Sequence, residues 1–366
     1  MTNIFDYLAW RGDLRFSQAE PCEVDFLIFA QLVHAPLERL MGGGQGWTLS
    51  ELQPIVYPTP VGADQNVLER SRYALWLAAA KSVRYAAVTL ERFEAHFKPE
   101  AEMQFAAALF LLDGAGVVCF RGTDATLVGW KEDFNMAFES PVPSQVEAVL
   151  FLNESANDLP LLYVCGHSKG GNLALYAAAM CTPQTRAKLQ RVFSFDGPGM
   201  DEKTHASEGY QAITPRVSSF IPEASVVGLL LNNHETYTIV ASDGISIWQH
   251  NPYLWHVRGA SFVPVSDTTR SSQFTDQTLH DFLAESTPAE QRVLVDTIFK
   301  VLGASKAVAL KDVPRGIAAN RNDVLAVLRG VPPSSYVIMI RALRMLGGAG
   351  TENLNLLFGE NGNAVG

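Results

Sequence analysis

The sequence has 366 residues, of which 48% are hydrophobic and only 18% are charged, so a substantial core is possible and long disordered stretches are not expected. The formal net charge of −10 argues against a nucleic-acid groove and against general attraction to anionic membranes. The four cysteines lie far apart, so we expect buried thiols in a reducing compartment. The N-terminus lacks a signal-peptide pattern and no apolar run reaches membrane-span length, so we expect a cytoplasmic protein.

Residues 1–100 predict an N-terminal helical segment that packs on or caps the rest of the chain. Residues 22–41 carry a dense apolar stripe at near-helical spacing, and residues 65–98 form a second helical region with regular apolar positions. The glycine-rich stretch from residue 41 to 46 predicts a loop between them. We therefore expect the sheet to begin only after residue 100.

Residues 101–265 carry the pattern of an α/β core. A strand over residues 105–112, the turn signal Asp113-Gly114 and a second strand over residues 116–120 predict an antiparallel hairpin. A helix over residues 144–154 then leads to a continuous apolar run at residues 161–165, and later strands alternate with helical stretches. This alternation predicts a mainly parallel, mixed sheet flanked by helices. The later strands are expected at residues 191–195, 216–220 and 237–240.

The apolar run at residues 161–165 ends in Gly166-His167-Ser168-Lys169-Gly170, the G-x-S-x-G pattern of a nucleophile elbow. Gly166 and Gly170 lack a Cβ, so we expect the strand and the following helix to approach closely and hold Ser168 in a strained, exposed turn. The N–H groups and the dipole of that helix then point at the serine, where an oxyanion would form. The alternative interpretation is a glycine-rich turn with an idle serine.

Residues 266–346 predict a C-terminal helical extension, and residues 347–366 a glycine- and asparagine-rich tail. Arg341 and Arg344 lie among apolar residues in the last helical stretch, a pattern compatible with a membrane surface, although packing on the core is commoner for one short helix. All segments together are expected to form one structural domain. The helical signals lie at residues 279–283, 291–302, 324–328 and 335–346.

The run Phe120-Arg121-Gly122-Thr123-Asp124, followed by Trp130, Asp133-Phe134 and the elbow, resembles the class 3 (fungal-type) lipases of the α/β-hydrolase fold. The resemblance is closer to bacterial lipase-3-like proteins, which share an opening like residues 3–12 and motifs like residues 195–199 and 248–250. It spans residues 1–265 and implies an α/β-hydrolase fold with a serine nucleophile. The resemblance also implies an oxyanion hole formed by Thr123 and by the backbone N–H of Lys169.

A serine becomes a nucleophile when a histidine takes its proton, and a carboxylate holds that histidine in the right tautomer. His250 follows a predicted strand, lies before Asn251-Pro252 and occupies the position of the family's histidine, so it is the predicted base. His167 is expected to support the elbow. The histidines after Ser168 are His205, His234, His250, His256 and His280.

The identity of the acid stays open among three carboxylates. Asp196 ends the strand that follows the elbow helix, in a Gly-Pro-Gly turn, and is favoured. Class 3 lipases carry an aspartate one strand later, where this chain has Ser225, with Glu223 two residues earlier. Glu223 is therefore the alternative acid, with Asp243 behind it. The structural alternative for Asp196 is an Asx turn that stabilises its own loop.

Around the first motif, Asp124 and Asp133 are expected to brace the oxyanion loop. The sequence has no Cys-x-x-Cys pair, and His234-Glu235 lacks the second histidine of a zinc helix. We therefore expect no metal and no other cofactor.

The motifs together predict a serine hydrolase that cleaves a carboxylic ester of a small molecule or a lipid. One alternative is a thioesterase, amidase or peptidase, since these enzymes use the same triad. A second alternative is a catalytically inactive hydrolase fold that binds a ligand, which the missing carboxylate at the usual class 3 position favours. If the helices predicted at residues 22–41 and 65–98 cap the site, their apolar faces would form an acyl pocket. No nucleic-acid partner is expected, and no pattern requires membrane contact.

Overall fold

The computed structural model describes residues 2–40, 46–62, 65–124, 126–225, 227–228, 236–244, 246–269, 277, 285–307, 313–333 and 335. The strands are β1 (Trp47–Thr48), β2 (Thr89–Lys98), β3 (Met103–Leu112), β4 (Ala115–Phe120), β5 (Leu162–His167), β6 (Leu189–Phe195), β7 (Val217–Pro222), β8 (Tyr237–Val240), β9 (Val257–Arg258) and β10 (Ser261–Phe262). The helices are α1 (Ile4–Arg11), α2 (Glu23–Leu32), α3 (Leu49–Val56), α4 (Val67–Lys81), α5 (Leu127–Asn135), α6 (Pro143–Ser155), α7 (Lys169–Met180), α8 (Pro183–Lys188), α9 (Glu202–His205), α10 (Glu208–Ile213), α11 (Pro288–Ala304), α12 (Val313–Ala319) and α13 (Arg321–Arg329).

The chain forms two compact units. The first comprises Met1–Phe97, Phe105–Gly122 and Ser144–Thr268. The second comprises Lys98–Gln104, Thr123–Pro143 and the described residues after Thr268.

The first unit is built around an eight-stranded sheet whose strands follow chain order from β1 to β8. The hairpin β3–β4 is antiparallel, and β4 to β8 are parallel. The mainly parallel, mixed sheet predicted from the alternation of strands and helices is therefore confirmed. Because the carboxyl ends of parallel strands meet at one edge, the residues after β4, β5, β6, β7 and β8 are brought to the same side of the sheet.

Helix α2 is a core helix. Every residue from Val24 to Leu32 is buried, because the helix is apolar nearly all round and packs against the sheet. The ring of Phe26 lies 4.3 Å from that of Phe193 and 4.8 Å from that of Tyr163. The hypothesis that the stripe over residues 22–41 forms an acyl pocket is therefore wrong for α2, whose apolar surface is used by the core.

The prediction of a continuous helical region over residues 65–98 is wrong in its second half. Helix α4 ends at Lys81, and residues 89–98 form strand β2, between β1 and β3. The sheet therefore begins before residue 100. The strand is half-exposed, and Phe93, Ala95 and Phe97 alternate with polar residues at the period of a strand. This alternation covers only five residues, and the helical prediction extended the apolar spacing of α4 across it.

The second unit contains α5 and the described C-terminal helices. Helix α11 and helix α13 occur where residues 291–302 and 324–328 predict them. The predictions for residues 279–283, for the tail at 347–366 and for almost all of the stretch 335–346 lie outside the described residues. Among the helices that are described, none is long and apolar enough to cross a membrane.

Candidate active site

Ser168 occupies a strained turn between β5 and α7. Its backbone has φ 60° and ψ −132°, a region that residues with a Cβ rarely adopt and that costs about 1–3 kcal/mol. The N–H of Ser168 donates to Phe195 O at 2.9 Å, and the N–H of Gly171 donates to Ser168 O at 2.8 Å. These bonds fix the turn from both sides, so the surrounding structure maintains the strain.

The two outer glycines of the elbow permit this geometry. A Cβ at Gly166 would lie 2.0 Å from Gly170 O, and a Cβ at Gly170 would lie 2.1 Å from Phe120 O. Both clashes are with backbone atoms, which cannot move aside as a side chain could. The close approach of strand and helix that the motif predicts is thus present.

His250 and Asp196 form a hydrogen-bonded pair at the same edge of the sheet. His250 ends a short 3₁₀ helix, Ser246–His250, after β8, and its Nδ1 lies 2.6 Å from Asp196 Oδ2. Asp196 follows β6, has φ 49° and is fully buried. When Nδ1–H donates to this carboxylate, the neutral imidazole keeps its lone pair on Nε2, the form that a general base needs.

The second oxygen of Asp196 is also bound. Asp196 Oδ1 accepts from Ser225 Oγ at 2.5 Å and from the N–H of Gly228 at 3.0 Å. Burying a carboxylate is costly unless its oxygens are hydrogen-bonded, and these bonds together with His250 supply that compensation. The sequence singled out Ser225 only as the residue in place of an aspartate; no motif pointed to its bond with Asp196.

His167 links the elbow to the loop that carries His250. The Nε2 of His167 donates to the carbonyl oxygen of His250 at 2.9 Å, and the two imidazole rings lie 4.6 Å apart. Burial, followed by the charges of His250 and Arg72, lowers the pKa of His167 well below its ordinary value. A neutral His167 thus ties the loop that carries His250 to the elbow.

The two other candidate acids have different partners. Glu223 Oε1 accepts from the Gln249 side chain at 3.4 Å, and Asp243 lies 2.8 Å from His256 Nε2. The side chain of Gln249 also accepts from Ala224 N at 2.7 Å. Glu223 therefore belongs to the framework that positions the histidine loop. The candidates His234 and His280 lie outside the described residues.

The first motif contributes to both units. In the first unit, a Cβ at Gly122 would lie 2.6 Å from His167 O and 3.2 Å from Ser168 Cβ, so the backbone at Gly122 runs directly against the elbow. In the second unit, Thr123 Oγ1 donates to Asp133 Oδ2, and Asp124 Oδ1 accepts from Thr126 N at 2.8 Å. Both aspartates thus order the segment that begins at Thr123, as expected.

Lys169 is the first residue of α7, and its side chain is buried. Its backbone lies immediately after Ser168, at the positive end of the helix dipole. A developing oxyanion at the serine would therefore meet a favourable electrostatic field from α7.

The four cysteines are free thiols. Cys119 and Cys165 are fully buried on adjacent strands, with their sulfur atoms 3.4 Å apart, and Cys181 is buried as well, whereas Cys22 is only partly buried. Burial raises the pKa of Cys119 well above its ordinary value, so this thiol is not an activated nucleophile.

Comparison with known proteins places these residues in a family. A family model described as Mbeg1-like matches residues 79–300, a range that includes Ser168, Asp196 and His250. A search of curated proteins found no match. Among solved structures, one described as "Crystal structure of M37 lipase" is similar at 13% sequence identity and a TM-score of 0.35, covering 57% of this chain and 68% of that chain.

Proposed function

The chain belongs to the Mbeg1-like family, and we propose that it is a serine hydrolase that cleaves a carboxylic ester. Its α/β-hydrolase fold is related to that of the lipase-3-like hydrolases. The observation that carries this proposal is the 2.6 Å contact between His250 Nδ1 and the buried Asp196, formed beside the strained turn of Ser168. A polar pair of this kind fixes the tautomer and orientation of a general base.

In the proposed reaction, Ser168 Oγ attacks the ester carbonyl carbon while His250 Nε2 takes the hydroxyl proton. The tetrahedral intermediate collapses with cleavage of the carbon–oxygen bond, and the alcohol leaves with the proton from His250. Water then attacks the acyl-enzyme, again with His250 as base, and releases a carboxylic acid and free Ser168. Asp196 stays ionised throughout and stabilises the imidazolium.

The oxyanion requires donors placed before the reaction begins, each worth about 3 kcal/mol. The N–H of Lys169 is proposed as one donor because it starts α7 directly after the nucleophile. Thr123 is proposed as the other from its motif, through its backbone N–H, since its hydroxyl is engaged by Asp133.

The alternative of an inactive, ligand-binding hydrolase fold was based on the missing carboxylate after β7. Asp196 after β6 offers a carboxylate to His250, and Ser225 after β7 donates to that carboxylate. This arrangement supports a working triad with its acid on a different strand, and so favours the enzyme.

Labelling with a fluorophosphonate probe tests the proposal. The wild type should react, Ser168→Ala should abolish labelling and His250→Ala should reduce its rate at least 100-fold, because the serine loses its base. Asp196→Asn should also lower the rate strongly, whereas the matched carboxylate change Glu223→Gln should stay within about threefold.

A folded wild type that remains unlabelled would contradict the proposal, and so would a stronger effect of Glu223→Gln than of Asp196→Asn. A panel of esters, thioesters and amides with the same acyl group then identifies the leaving group. Ester hydrolysis should have the highest kcat/KM in this panel.

A further inference from the structure

Near the proposed active site, the first unit holds a group of polar side chains that the triad does not use. We call it the polar cluster: His34 follows α2, Arg72 lies in α4, Arg121 directly follows β4, and Tyr253 lies in the turn after His250. These side chains come from four different parts of the sequence. Arg121 belongs to the run at residues 120–124, but the proposed hydrolysis gives none of the four side chains a role.

His34 and Arg72 are in direct contact. The Nη2 of Arg72 donates to His34 Nδ1 at 3.2 Å, so this ring nitrogen acts as an acceptor. Burial, followed by the charge of Arg72, lowers the pKa of His34 well below its ordinary value. His34 is therefore neutral, and its one ring proton lies on Nε2.

The polar cluster contains donors without acceptors. Within the described part of the chain, no hydrogen-bond partner contacts His34 Nε2, Arg72 Nε, Arg121 Nε or Tyr253 Oη, although all four atoms are buried. Tyr253 is only 3% exposed. A buried donor that has lost water and gained no partner is destabilising, and several in one place call for an acceptor-rich group.

The charge of Arg72 is also uncompensated. Arg121 pairs with Glu38 at 2.6 Å, but no carboxylate of the described residues lies within ion-pair distance of Arg72, whose guanidinium donates to the neutral His34. Burial is the largest influence on Arg72 and lowers its pKa, and the carboxylate of Glu69, one turn earlier on α4, opposes this only weakly. A guanidinium that is mostly removed from water and lacks a counter-charge favours an anion.

The polar cluster lies close to the proposed reaction centre. Arg121 precedes Gly122, where a Cβ would lie 3.2 Å from Ser168 Cβ. Tyr253 follows His250 by three residues in the same loop. The charges of Arg72, Arg121, His167 and His250 each lower the pKa of His34, so His34 lies near all four groups.

We propose that the substrate of this hydrolase is an ester that carries an anionic group, a carboxylate or a phosphate, and that the polar cluster binds this group. Arg72 supplies the positive charge. His34 Nε2–H and Tyr253 O–H supply neutral donors, and Arg121 Nε–H is a donor of a guanidinium that also pairs with Glu38. This inference rests on the proposed ester hydrolysis and adds the chemical class of the substrate to it.

Matched pairs of esters test the inference. The 4-nitrophenyl monoester of adipate and 4-nitrophenyl hexanoate have acyl chains of equal length and differ by one carboxylate. A lysophosphatidic acid and a monoacylglycerol with the same acyl chain differ by one phosphate, which distinguishes a lipid headgroup from an acid on the acyl side. The wild type should hydrolyse the anionic member of at least one pair with a kcat/KM at least tenfold higher.

Arg72→Met keeps the apolar stem of the side chain and removes its charge. It should lower the ratio of anionic to neutral kcat/KM at least tenfold, while Arg72→Lys should keep part of the preference. The control is Arg70→Met, an exposed arginine on the same helix, which should leave both the ratio and the activity unchanged. Because a ratio is measured, a general loss of activity in Arg72→Met does not affect the result.

The inference would be overturned if the wild type did not prefer the anionic ester in either pair, or if Arg72→Met left the ratio of anionic to neutral kcat/KM unchanged. Either result would leave the proposed hydrolysis intact. If no ester is cleaved, the proposed function fails, and binding decides the inference by itself. Calorimetry with inorganic phosphate and with adipate on Ser168→Ala should then show binding that the added Arg72→Met removes; no binding of either anion would overturn the inference.

Discussion

At the scale of single residues, the decisive feature is the buried carboxylate of Asp196. One of its oxygens lies 2.6 Å from His250 Nδ1, and the other accepts from Ser225 and Gly228. Each of these bonds satisfies an oxygen of a side chain that is fully removed from the protein surface. Ser225 thus acts through Asp196 and is a positioning residue.

The substitution Ser225→Ala tests this role. It should lower kcat about tenfold, because Asp196 loses one charge-assisted hydrogen bond but keeps His250 and Gly228. The loss should appear in kcat with KM little changed, because the substitution alters only how Asp196 is held. Steady-state kinetics separates the two parameters.

The control for this experiment is Ser218→Ala in β7, the strand that precedes Ser225; the Ser218 hydroxyl accepts from Arg191. Ser225→Thr, which keeps a hydroxyl, should restore part of the activity. An unchanged kcat in Ser225→Ala would show that the hydroxyl serves only the packing of the turn.

At the scale of secondary-structure elements, the elbow depends on the contact of α7 with β4 and β5. The glycines remove the side chains that would separate them, and α2 covers the sheet with an entirely buried surface. Strand β6 then brings Asp196 to the edge at which β5 ends, since Phe195 pairs with His167. The order of parallel strands therefore assembles the candidate site.

A pair of glycine substitutions tests this packing. Gly170→Ala should destabilise the protein by more than about 3 kcal/mol or prevent folding, because its Cβ would lie 2.1 Å from a backbone oxygen. Gly303→Ala in α11 meets no atom within 4 Å and should stabilise the helix by about 0.5–1 kcal/mol. Denaturant unfolding followed by circular dichroism measures both, and equal effects of the two changes would contradict the packing argument.

At the scale of the whole molecule, the two units differ in what stabilises them. The first has an extensive hydrophobic core around the sheet. The second relies in addition on a group of charges: Glu102 pairs with Lys131 at 2.7 Å and with Arg292 at 3.2 Å, and Asp296 pairs with Lys131 at 2.7 Å. Stability of the second unit should therefore depend on pH and on salt.

The pH dependence has a defined sign. Burial is the largest influence on Glu102 and opposes its ionisation, but the hydrogen bonds from Lys131 and Asn135 together with the charges of Lys131 and Arg292 outweigh it, so the pKa of Glu102 lies below the ordinary 4.5. A carboxylate whose pKa is lower in the folded state contributes stability fully above the unfolded value and loses it as pH falls through the folded value. Glu102→Gln should thus cost about 1 kcal/mol at pH 7, a figure limited by solvent screening.

Unfolding measured at pH 7 and again below pH 4 should show the difference between wild type and Glu102→Gln shrinking as Glu102 becomes protonated in both states. High salt should reduce the difference at pH 7 in the same way. A difference that grows on acidification would contradict the assignment.

The sequence predicted the local elements best where the pattern was strongly periodic or carried a motif. The elbow, the hairpin β3–β4 and helix α6 follow from apolar runs, turn residues and glycine spacing, because those properties act over a few neighbouring residues. Strand β2 was missed because its alternation is limited to residues 93–97, and its pairing with neighbouring strands is a tertiary property. The roles of Ser168, His250 and Asp196 stay predictions that the labelling experiment tests.

By itself the sequence determined the fold class, the strained serine turn and the short list of histidines and carboxylates that could serve it, because each depends on local chemistry. Only the tertiary structure decided that His250 meets Asp196 while Glu223 meets Gln249, and that Ser225 donates to the buried carboxylate. It also brought His34, Arg72, Arg121 and Tyr253 to the neighbourhood of the candidate site. These contacts join residues far apart in the chain, and the register of a packed sheet, which no local pattern encodes, sets their distances.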